Sequence, residues 1–432
     1  MLRFAPSPTG DMHIGNLRVA LLNYLVSCQK NEDLIIRIED TQKEKNIDGK
    51  DQEILDILDL FGIKYTQTIY QSQNFKFHSA MALQLLHEKK AFSCFCSDNW
   101  IAKKKEEAKD ANVAYSYDDA CRNLPAELVI DNTSPFCVRI TRPDVSIQIK
   151  DLIQGDLSFS ENDVDSFVIL NQDKTPTCDF SAAVDDMISD VSLVIRSSEH
   201  IKSAPKQAHV RHSLGYDKSV AFAHVPVLLN ENNQPMGSKD EGWSVKALLE
   251  QGFLPEAISN YLISIGNAPA QEIFTLDQAV EFFTLDTALS SPARFSMQEL
   301  KNINKKHLLE LEAKELSRYV GFADSEIGEL ARVFLEDVFT TKELKSKIAP
   351  IFAQKTFPSE LTEVISTISQ IIKKAPFFDK YEDFEKYLKD GSQIQEPLFS
   401  QALRYILTGT KNGPELTKVY KYLKNYIGEI VK

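Results

Sequence analysis

The first forty residues alternate between short apolar runs and one longer amphipathic run. Residues 2–5 form a short apolar run, and residues 34–38 form another that contains three isoleucines. Between them, residues 17–29 place apolar side chains at helical spacing. This strand–helix–strand order predicts a parallel sheet with helices on its faces, which binds ligands at the carboxyl ends of its strands.

The pattern changes in the second hundred residues. Short apolar runs there predict strands at 137–140, 145–149 and 166–170, and the sheet pattern resumes at 191–195 and 225–229. A structureless loop of that length is implausible in a compact domain. We therefore interpret residues 81–180 as an insertion that splits a Rossmann-like sheet domain into residues 1–80 and 181–235.

Beyond about residue 246 the apolar spacing is almost wholly helical. The predicted helices include 309–319, 325–334, 361–373 and 416–427, and residues 341–347 and 391–396 are interpreted as connections. We divide this half into a region at 236–305 and a helical region at 306–432. The predicted fold class is α/β with an inserted subdomain, followed by an all-α region.

Composition adds an ordinary globular character. Hydrophobic residues make up 43% and charged residues 26% of the chain, and no apolar run is long enough to span a bilayer. The start lacks the pattern of a secretion signal, so the expected compartment is the cytoplasm.

The net charge of −13 argues against a general nucleic-acid coat. Phosphate contacts need only a local basic face. Three lysine clusters could supply one, although each is more often simply a solvated helix face: they are 103–105, then Lys301 with Lys305 and Lys306, then Lys418 with Lys421 and Lys424.

The strongest chemical signal is the run RFAPSPTGDMHIGN at residues 3–16. Two prolines and a glycine stiffen a turn, and His13 and Gly15 follow at the entry to a helix, whose free N–H groups and dipole favour anions. Gly15 lets a nucleotide approach the backbone, and His13 can donate a hydrogen bond to phosphate. An isolated His-x-Gly is usually only a strand–turn–helix connection, but the longer context favours a nucleotide site.

This run resembles the signature of bacterial glutamyl-tRNA synthetases, which are class I aminoacyl-tRNA synthetases. The resemblance implies that the sheet domain is catalytic and that Arg3 and Ser7 help to hold glutamate. It also implies catalytic roles for His13 and Gly15. The implied ATP-binding residues of this run are Thr9, Gly10, His13, Gly15 and Asn16.

Two further motifs resemble the substrate-binding elements of that family. Residues 37–41 read RIEDT, and the resemblance assigns Glu39 to the α-ammonium group of glutamate. VDD at 184–186 is followed by VIRSSEH at 194–200. There Arg196 maps to the arginine that pairs with the side-chain carboxylate of glutamate, a bidentate fit that favours glutamate over glutamine. Glu199 and His200 map near the ATP ribose and adenine. Alone, the first motif is more often a strand-end turn, and Arg196 a surface ion pair.

The fourth motif, MGSK at 236–239, occupies the place of the family's mobile Lys-Met-Ser-Lys-Ser loop. The resemblance assigns Ser238 and Lys239 to ATP and gives Lys239 the catalytic task of stabilising pyrophosphate. An exposed loop lysine is the alternative. GFLPEA at 252–257 and NYL at 260–262 also match the family and fix the alignment.

Three positions depart from the family pattern. Met236 stands where a lysine is common, Cys178 replaces the tyrosine that helps to enclose glutamate, and Gln42 ends the sequence IEDTQ in place of an aspartate. Cys178 is retained as a glutamate-binding position. We expect an active enzyme that is a specialised second copy.

A zinc site is left open. Cys94, Cys96, Tyr117 and Cys121 keep the register of zinc-bearing family members, whereas Asn123 replaces a histidine ligand. Three thiolates and a tyrosine oxygen could complete a tetrahedron around Zn²⁺. The alternative is three unligated cysteines in an insertion that has lost its metal.

Together the motifs imply ATP-dependent activation of L-glutamate, with Mg²⁺ carried by ATP, and transfer to tRNA(Glu) and/or tRNA(Gln) by a cytoplasmic monomer without a membrane partner. Residues 81–180 would bind the acceptor end, 236–305 the stem and 306–432 the anticodon. A shortened paralogue that glutamylates a modified tRNA base lacks the helical half, and glutaminyl-tRNA synthetase ends in β-barrels. A non-catalytic tRNA-binding relative stays open.

Overall fold

The computed structural model describes residues 1–236, 241–267, 269, 271–285 and 291–431. The chain forms two compact units. The first contains Met1–Val245, Leu262–Ala270 and Phe274–Phe295, and the second contains Lys246–Tyr261, Gln271–Ile273 and Ser296–Lys432. The four domains drawn from the sequence stay a prediction.

Strands occur in the first unit. In chain order they are β1 Leu2–Phe4, β2 Leu34–Ile38, β3 Gln67–Tyr70, β4 Ala91–Cys94, β5 Cys137–Ile140, β6 Ile147–Ile149, β7 Leu157–Phe159, β8 Val168–Leu170, β9 Leu193–Ser197, β10 Ala221–Val225, β11 Leu228–Leu229 and β12 Ala293–Arg294.

Helices occur throughout the chain. The first ten are α1 Ile14–Lys30, α2 Lys50–Leu60, α3 Phe75–His87, α4 Asp98–Asp110, α5 Ala126–Ile130, α6 Cys178–Ile188, α7 Ala204–Ser213, α8 Val245–Glu250, α9 Pro255–Ser264 and α10 Leu276–Phe282. The others are α11 Met297–Glu310, α12 Ala313–Tyr319, α13 Ser325–Val333, α14 Thr341–Phe352, α15 Thr362–Ile372, α16 Tyr381–Ser392, α17 Leu398–Thr408, α18 Leu416–Leu423 and α19 Ile427–Ile430.

The centre of the first unit is a five-stranded parallel sheet in the order β10-β9-β1-β2-β3. All residues of β1 and β2 are buried, which explains their continuous apolar runs. Strand order reverses between β1 and β9, so a crevice opens beyond their carboxyl ends, where such sheets bind ligands. The predicted parallel α/β sheet is confirmed.

The inserted segment forms an antiparallel sheet, β4-β5-β8, and the hairpin β6-β7. Its apolar residues share one core with helices of the sheet domain, because Val138 and Ile169 pack with Phe180 of α6 and Val210 of α7. The insertion is therefore anchored on the helices that flank the parallel sheet.

The second unit is helical, as predicted, around a core that includes Leu254, Ala257 and residues from Leu308 to Val431. Two predictions there are wrong. Residues 341–347 are not a connection but part of α14, which a capping box of Thr340 and Glu343 starts. The predicted helix 309–319 is broken, because α11 ends at Glu310 and α12 begins at Ala313.

Two other predicted elements are shorter than expected. The strand at 225–229 is wrong, because β10 ends at Val225, Pro226 follows, and β11 pairs with β12 in a separate sheet. The helix at 416–427 ends at Leu423. Among the described helices, none combines the length and apolarity needed to cross a membrane.

Candidate active site

A buried charge network lies at the carboxyl ends of β1 and β2. Oδ1 of Asp186, on α6, accepts hydrogen bonds from Nε of Arg3 at 3.2 Å and from Nη1 of Arg37 at 2.5 Å. Nη2 of Arg37 lies 3.3 Å from Oε1 of Glu39. Arg3, Arg37 and Asp186 are all at least 96% buried. One carboxylate thus compensates two guanidinium groups inside the protein.

The pKa values of the two carboxylates in this network, Asp186 and Glu39, are shifted in opposite directions. Burial alone would raise the pKa of Asp186, but the positive charges of Arg3 and Arg37 outweigh it and lower that pKa well below its usual value. The pKa of Glu39 is raised, because burial outweighs the same two arginines. Asp186 is therefore a fixed anion, whereas Glu39 lies at the edge of the network and is partly exposed.

Arg196 projects from the end of β9 next to this network. Its Nε donates to Nε2 of His224 at 3.0 Å, and its Nη1 donates to Oε1 of Gln207 at 2.9 Å. Nη2 is buried and has no hydrogen-bond partner among the residues that the structure describes. Burial and the nearby Arg3 lower the pKa of Arg196 to about 10, so it stays charged at neutral pH. A guanidinium with buried, unfilled N–H capacity is suited to a carboxylate.

A pocket of about 170 Å³ lies at the start of α1. His13 caps this helix, and its Nδ1 accepts from the backbone N–H of Gly15 at 3.1 Å. In the neutral ring the remaining proton is therefore on Nε2. Pocket residues that the sequence had assigned to ATP are His13, Gly15, Asn16, Glu199 and His200. His13, Gly15 and Asn16 lie at the start of α1, which fits anion binding at a helix N-terminus, and Glu199 and His200 follow β9.

Met236 also lines this pocket and is 7% exposed. Its backbone N–H donates to the carbonyl of Leu228 at 2.8 Å. The residue that replaces a family lysine is thus a buried apolar wall. Ser238 and Lys239, the predicted loop residues, lie outside the described residues.

The other predicted residues of the opening run lie in the turn between β1 and α1. Ser7 and Thr9 are exposed, and the backbone N–H of Thr9 donates to the carbonyl of Ser7. In the described part of the chain, Thr9 and Gly10 are not among the residues that line the pocket at the start of α1. The backbone N–H of Glu39 donates to the carbonyl of Pro6 at 2.9 Å, which joins this turn to the RIEDT strand end.

Two departures from the family pattern contact each other. Nε2 of Gln42 donates to Sγ of Cys178 at 3.1 Å. Cys178 is exposed and is the first residue of α6. Cys178 thus lies on the helix that carries Asp186, and Gln42 contacts it from the segment that follows β2.

The insertion contains a cluster of thiols around a buried phenol. Sγ of Cys94, Cys96 and Cys121 lie within 4.8 Å of one another, and the hydroxyl of Tyr117 is 3.4 Å from the first two. Nε of Arg139 donates to Sγ of Cys94 at 3.3 Å. Hydrogen bonds with Cys137, Tyr117 and Arg139 lower the pKa of Cys94 well below its usual value. Three converging sulfurs and one oxygen fit a tetrahedral metal ion.

Sequence reasoning missed several residues that build the charge network and contact Arg196. It quoted Asp186 and Arg37 inside motifs without a role, and it did not single out Asp151, Gln207 or His224. Arg37 carried a readable signal, since a lone charge inside an apolar strand must be paired when buried. The others had no local signal, because their contacts are long-range.

Comparisons with known proteins agree with this geometry. The family model described as "tRNA synthetases class I (E and Q), catalytic domain" matches residues 1–302. The chain is 58% identical over 432 residues to glutamate–tRNA ligase 2 of Sulfurimonas denitrificans, and 46% identical to glutamate–tRNA ligase 1 of Nitratiruptor sp.; each alignment covers 100% of both chains.

A solved structure shows the same fold. The crystal structure of a glutamate tRNA ligase from Elizabethkingia meningosepticum, in complex with its amino acid, superposes with a TM-score of 0.83. It is 22% identical, and the match covers 100% of this chain and 98% of that one. With the family model spanning more than two thirds of its residues, and with full-length relatives at this identity, the chain belongs to the class I tRNA synthetases of the E and Q type.

Proposed function

We propose that the chain is a glutamate–tRNA ligase, which activates L-glutamate with ATP and transfers it to tRNA. The observation that carries this proposal is that Arg196 and the pocket at the start of α1 share one strand end. Arg196, with its buried unfilled Nη2, and Ser197, which lines that pocket, are consecutive residues of β9. A glutamate side chain at Arg196 and a nucleotide at Ser197 would meet beside the α-carboxylate.

Charge complementarity supports glutamate as the amino acid. The side-chain carboxylate would accept hydrogen bonds from Arg196, and the carboxylate of Glu39 would accept from the α-ammonium group. The neutral amide of glutamine carries no anionic charge to compensate Arg196, and its NH₂ group would face N–H donors. Selectivity of this kind comes from leaving buried polar groups unpaired with the wrong substrate.

The proposed reaction has two steps. One oxygen of the glutamate α-carboxylate attacks the α-phosphorus of Mg²⁺-bound ATP, the bond to the β-phosphate oxygen breaks, and pyrophosphate leaves. The terminal ribose hydroxyl of tRNA then attacks the adenylate carbonyl, loses its proton and releases AMP. Nε2–H of His13 and the N–H groups at the start of α1 would stabilise charge on the phosphate oxygens. The family resemblance assigns Lys239 to the leaving pyrophosphate.

The first test is charging of purified tRNA(Glu) and tRNA(Gln) side by side with radiolabelled glutamate. Arg196→Ala should raise the glutamate KM by roughly tenfold or more with little change in the ATP KM, since a charge-assisted pair is lost. Lys218→Ala, which changes an exposed lysine paired with Asp190, is the control. A normal glutamate KM for Arg196→Ala would remove Arg196 from the assignment.

The loop is tested separately. Lys239→Ala should lower tRNA-dependent ATP–pyrophosphate exchange by roughly tenfold or more, because a cation that balances the leaving group is removed. Unchanged exchange would exclude Lys239 from the mechanism. Absence of exchange in the unaltered chain with either tRNA would favour the non-catalytic tRNA-binding alternative.

We also propose that Cys94, Cys96, Cys121 and Tyr117 hold Zn²⁺. The ion would tie the end of β4 to residues 117–121 and has a structural task. Elemental analysis should find about one zinc per chain in the unaltered protein and in Cys28→Ser, and markedly less in Cys121→Ser. Equal zinc in both variants, or none in any, would refute the site. Cytoplasmic location and a monomeric state stay predictions.

A further inference from the structure

A buried histidine and aspartate stand behind the arginine that is proposed to select glutamate. We propose that Asp151 and His224 are positioning residues that set the orientation of Arg196, and with it the affinity for glutamate. This inference rests on the proposed function of Arg196 and deepens it, because it names what holds the guanidinium in place.

Asp151, His224 and Arg196 form a continuous chain of hydrogen bonds, a positioning relay. His224, on β10, is fully buried. Its Nδ1 lies 2.5 Å from Oδ2 of Asp151, and its Nε2 lies 3.0 Å from Nε of Arg196. The imidazole ring stacks parallel to the ring of Phe222, two residues earlier on the same strand, with 5.5 Å between the ring centroids. The ring therefore has little freedom to turn.

The partners on the two sides determine the tautomer. A carboxylate accepts and a guanidinium donates, so Nδ1 must carry the proton and Nε2 must be the acceptor. Only the neutral ring with its proton on Nδ1 satisfies both contacts. A ring protonated on Nε2 would turn a second donor toward Nε–H of Arg196 and break the contact.

Asp151 is itself held rigidly. Its Oδ1 accepts from the backbone N–H groups of Ile153 at 2.9 Å and Gln154 at 2.8 Å. The neighbouring Leu152 pairs its N–H with the carbonyl of Phe222 on β10 at 2.8 Å. Asp151 is 4% exposed. Because Asp151 lies two residues beyond β6, the inserted segment supplies one of the groups that stand behind Arg196.

The charges around His224 oppose its protonation. The titratable and charged groups that face it are Asp151, Arg196 and Arg3, together with His200. Burial lowers the pKa of His224, and the two arginines lower it further against the pull of Asp151. The ring thus stays neutral at neutral pH, as its role as acceptor requires. Acidification that protonates it should weaken glutamate binding.

The experiment compares two replacements of His224. His224→Leu removes the acceptor, whereas a glutamine places Oε1 near the position of Nε2 and keeps one. We expect His224→Leu to raise the glutamate KM about tenfold or more while the ATP KM changes less than about twofold, because only Arg196 loses a partner. His224→Gln should restore most of the glutamate affinity. A uniform loss of kcat with both KM values unchanged would overturn the inference.

A double-mutant cycle tests the tautomer directly. In Asp151→Asn the side-chain carbonyl would satisfy the backbone N–H groups and turn NH₂ toward Nδ1, which moves the ring proton to Nε2. The glutamate KM should therefore rise in Asp151→Asn and lose part of that sensitivity in the His224→Gln background, because glutamine has no tautomers. Additive effects of the two changes would contradict the relay. This arm also covers the case in which His224→Leu fails to fold.

Arg196→Ala separates the two proposals. If it leaves the glutamate KM unchanged, the proposed function of Arg196 fails. If it raises that KM but His224→Leu and Asp151→Asn do not, Arg196 keeps its function and the positioning relay fails.

Discussion

Replacing Asp186 by asparagine should be the most costly single-charge change in the first unit's charge network. The substitution keeps the shape but removes the carboxylate that Arg3 and Arg37 share, so that Arg37 retains only Glu39 as an ion-pair partner. Breaking a buried pair from one side costs about 3–5 kcal/mol, and the remaining carbonyl oxygen recovers about 1 kcal/mol as a neutral acceptor. We therefore expect Asp186→Asn to lower the free energy of unfolding by about 2–4 kcal/mol.

Asp185→Asn is the matched control, one residue earlier on the same helix. Oδ1 of Asp185 accepts from Asn74 and His78, and its Oδ2 accepts from Gln71. Two of these three donors are neutral amides, so the loss of charge matters less, and we expect a cost of about 1–2 kcal/mol.

Tryptophan fluorescence during urea unfolding is a suitable assay, because the chain has two tryptophans, Trp100 and Trp243, and both lie in the first unit. The signal therefore follows the unit that contains Asp186. Because the folded state lowers the pKa of this carboxyl, its contribution is complete above the ordinary aspartate pKa and is lost as acid protonates it. The difference in free energy of unfolding between the unaltered chain and Asp186→Asn should thus become smaller in acid. Equal costs for the two asparagine variants, or a gap independent of pH, would refute the electrostatic reasoning.

Three other predictions concern stability and the metal. Gly328→Ala should lower the free energy of unfolding by more than about 3 kcal/mol, since a Cβ there would overlap the carbonyl group of Ala313. In the control Gly428→Ala the new Cβ meets nothing within 4 Å, and urea unfolding followed by circular dichroism should show a change of less than about 1 kcal/mol. Thr340→Ala should cost about 1 kcal/mol by the same assay and Thr340→Ser much less, because the hydroxyl caps α14. A chelator that removes zinc should change the fluorescence of the unaltered chain, because Trp100 packs against the phenol of the thiol cluster. The fluorescence of the Trp100→Phe variant should not change. Unchanged emission from the unaltered chain would count against the metal.

The sequence predicted correctly those elements whose burial is set by their own pattern of apolar and polar residues. The strands at 34–38 and 137–140 are confirmed to the residue, because an apolar run between polar ends defines a buried strand. The interpretation of 341–347 as a connection failed because the charged composition of α14 outweighed the Thr-x-x-Glu signal that begins it. The strand at 225–229 failed because its apolar residues continue across Pro226, where sheet pairing ends.

The same physical difference separates the site residues that the sequence could predict from those that it could not. His13 and Arg196 could be named because contiguous motifs surround them, and the pocket that His13 lines reaches Ser197, the residue after Arg196. The relay behind Arg196 could not be foreseen, since His224 and Asp151 are separated by 73 positions and their pairing depends on how the insertion packs on β10. The contact between Gln42 and Cys178 spans 136 positions and is equally invisible to local reasoning.

The carboxylate of Asp186, which Arg3 and Arg37 share, also affects when the first unit can fold during biosynthesis. Arg37 precedes its counter-charge by 149 positions, an interval of roughly 7–30 s at typical rates of translation of about 5–20 residues per second. Throughout that interval Arg3 and Arg37 lack the carboxylate that they share, and Glu39 is the acidic partner of Arg37 in the strands already made. We therefore expect the parallel sheet to close only after the whole insertion has been synthesised, and any fragment that stops short of α6 should remain open and protease-sensitive.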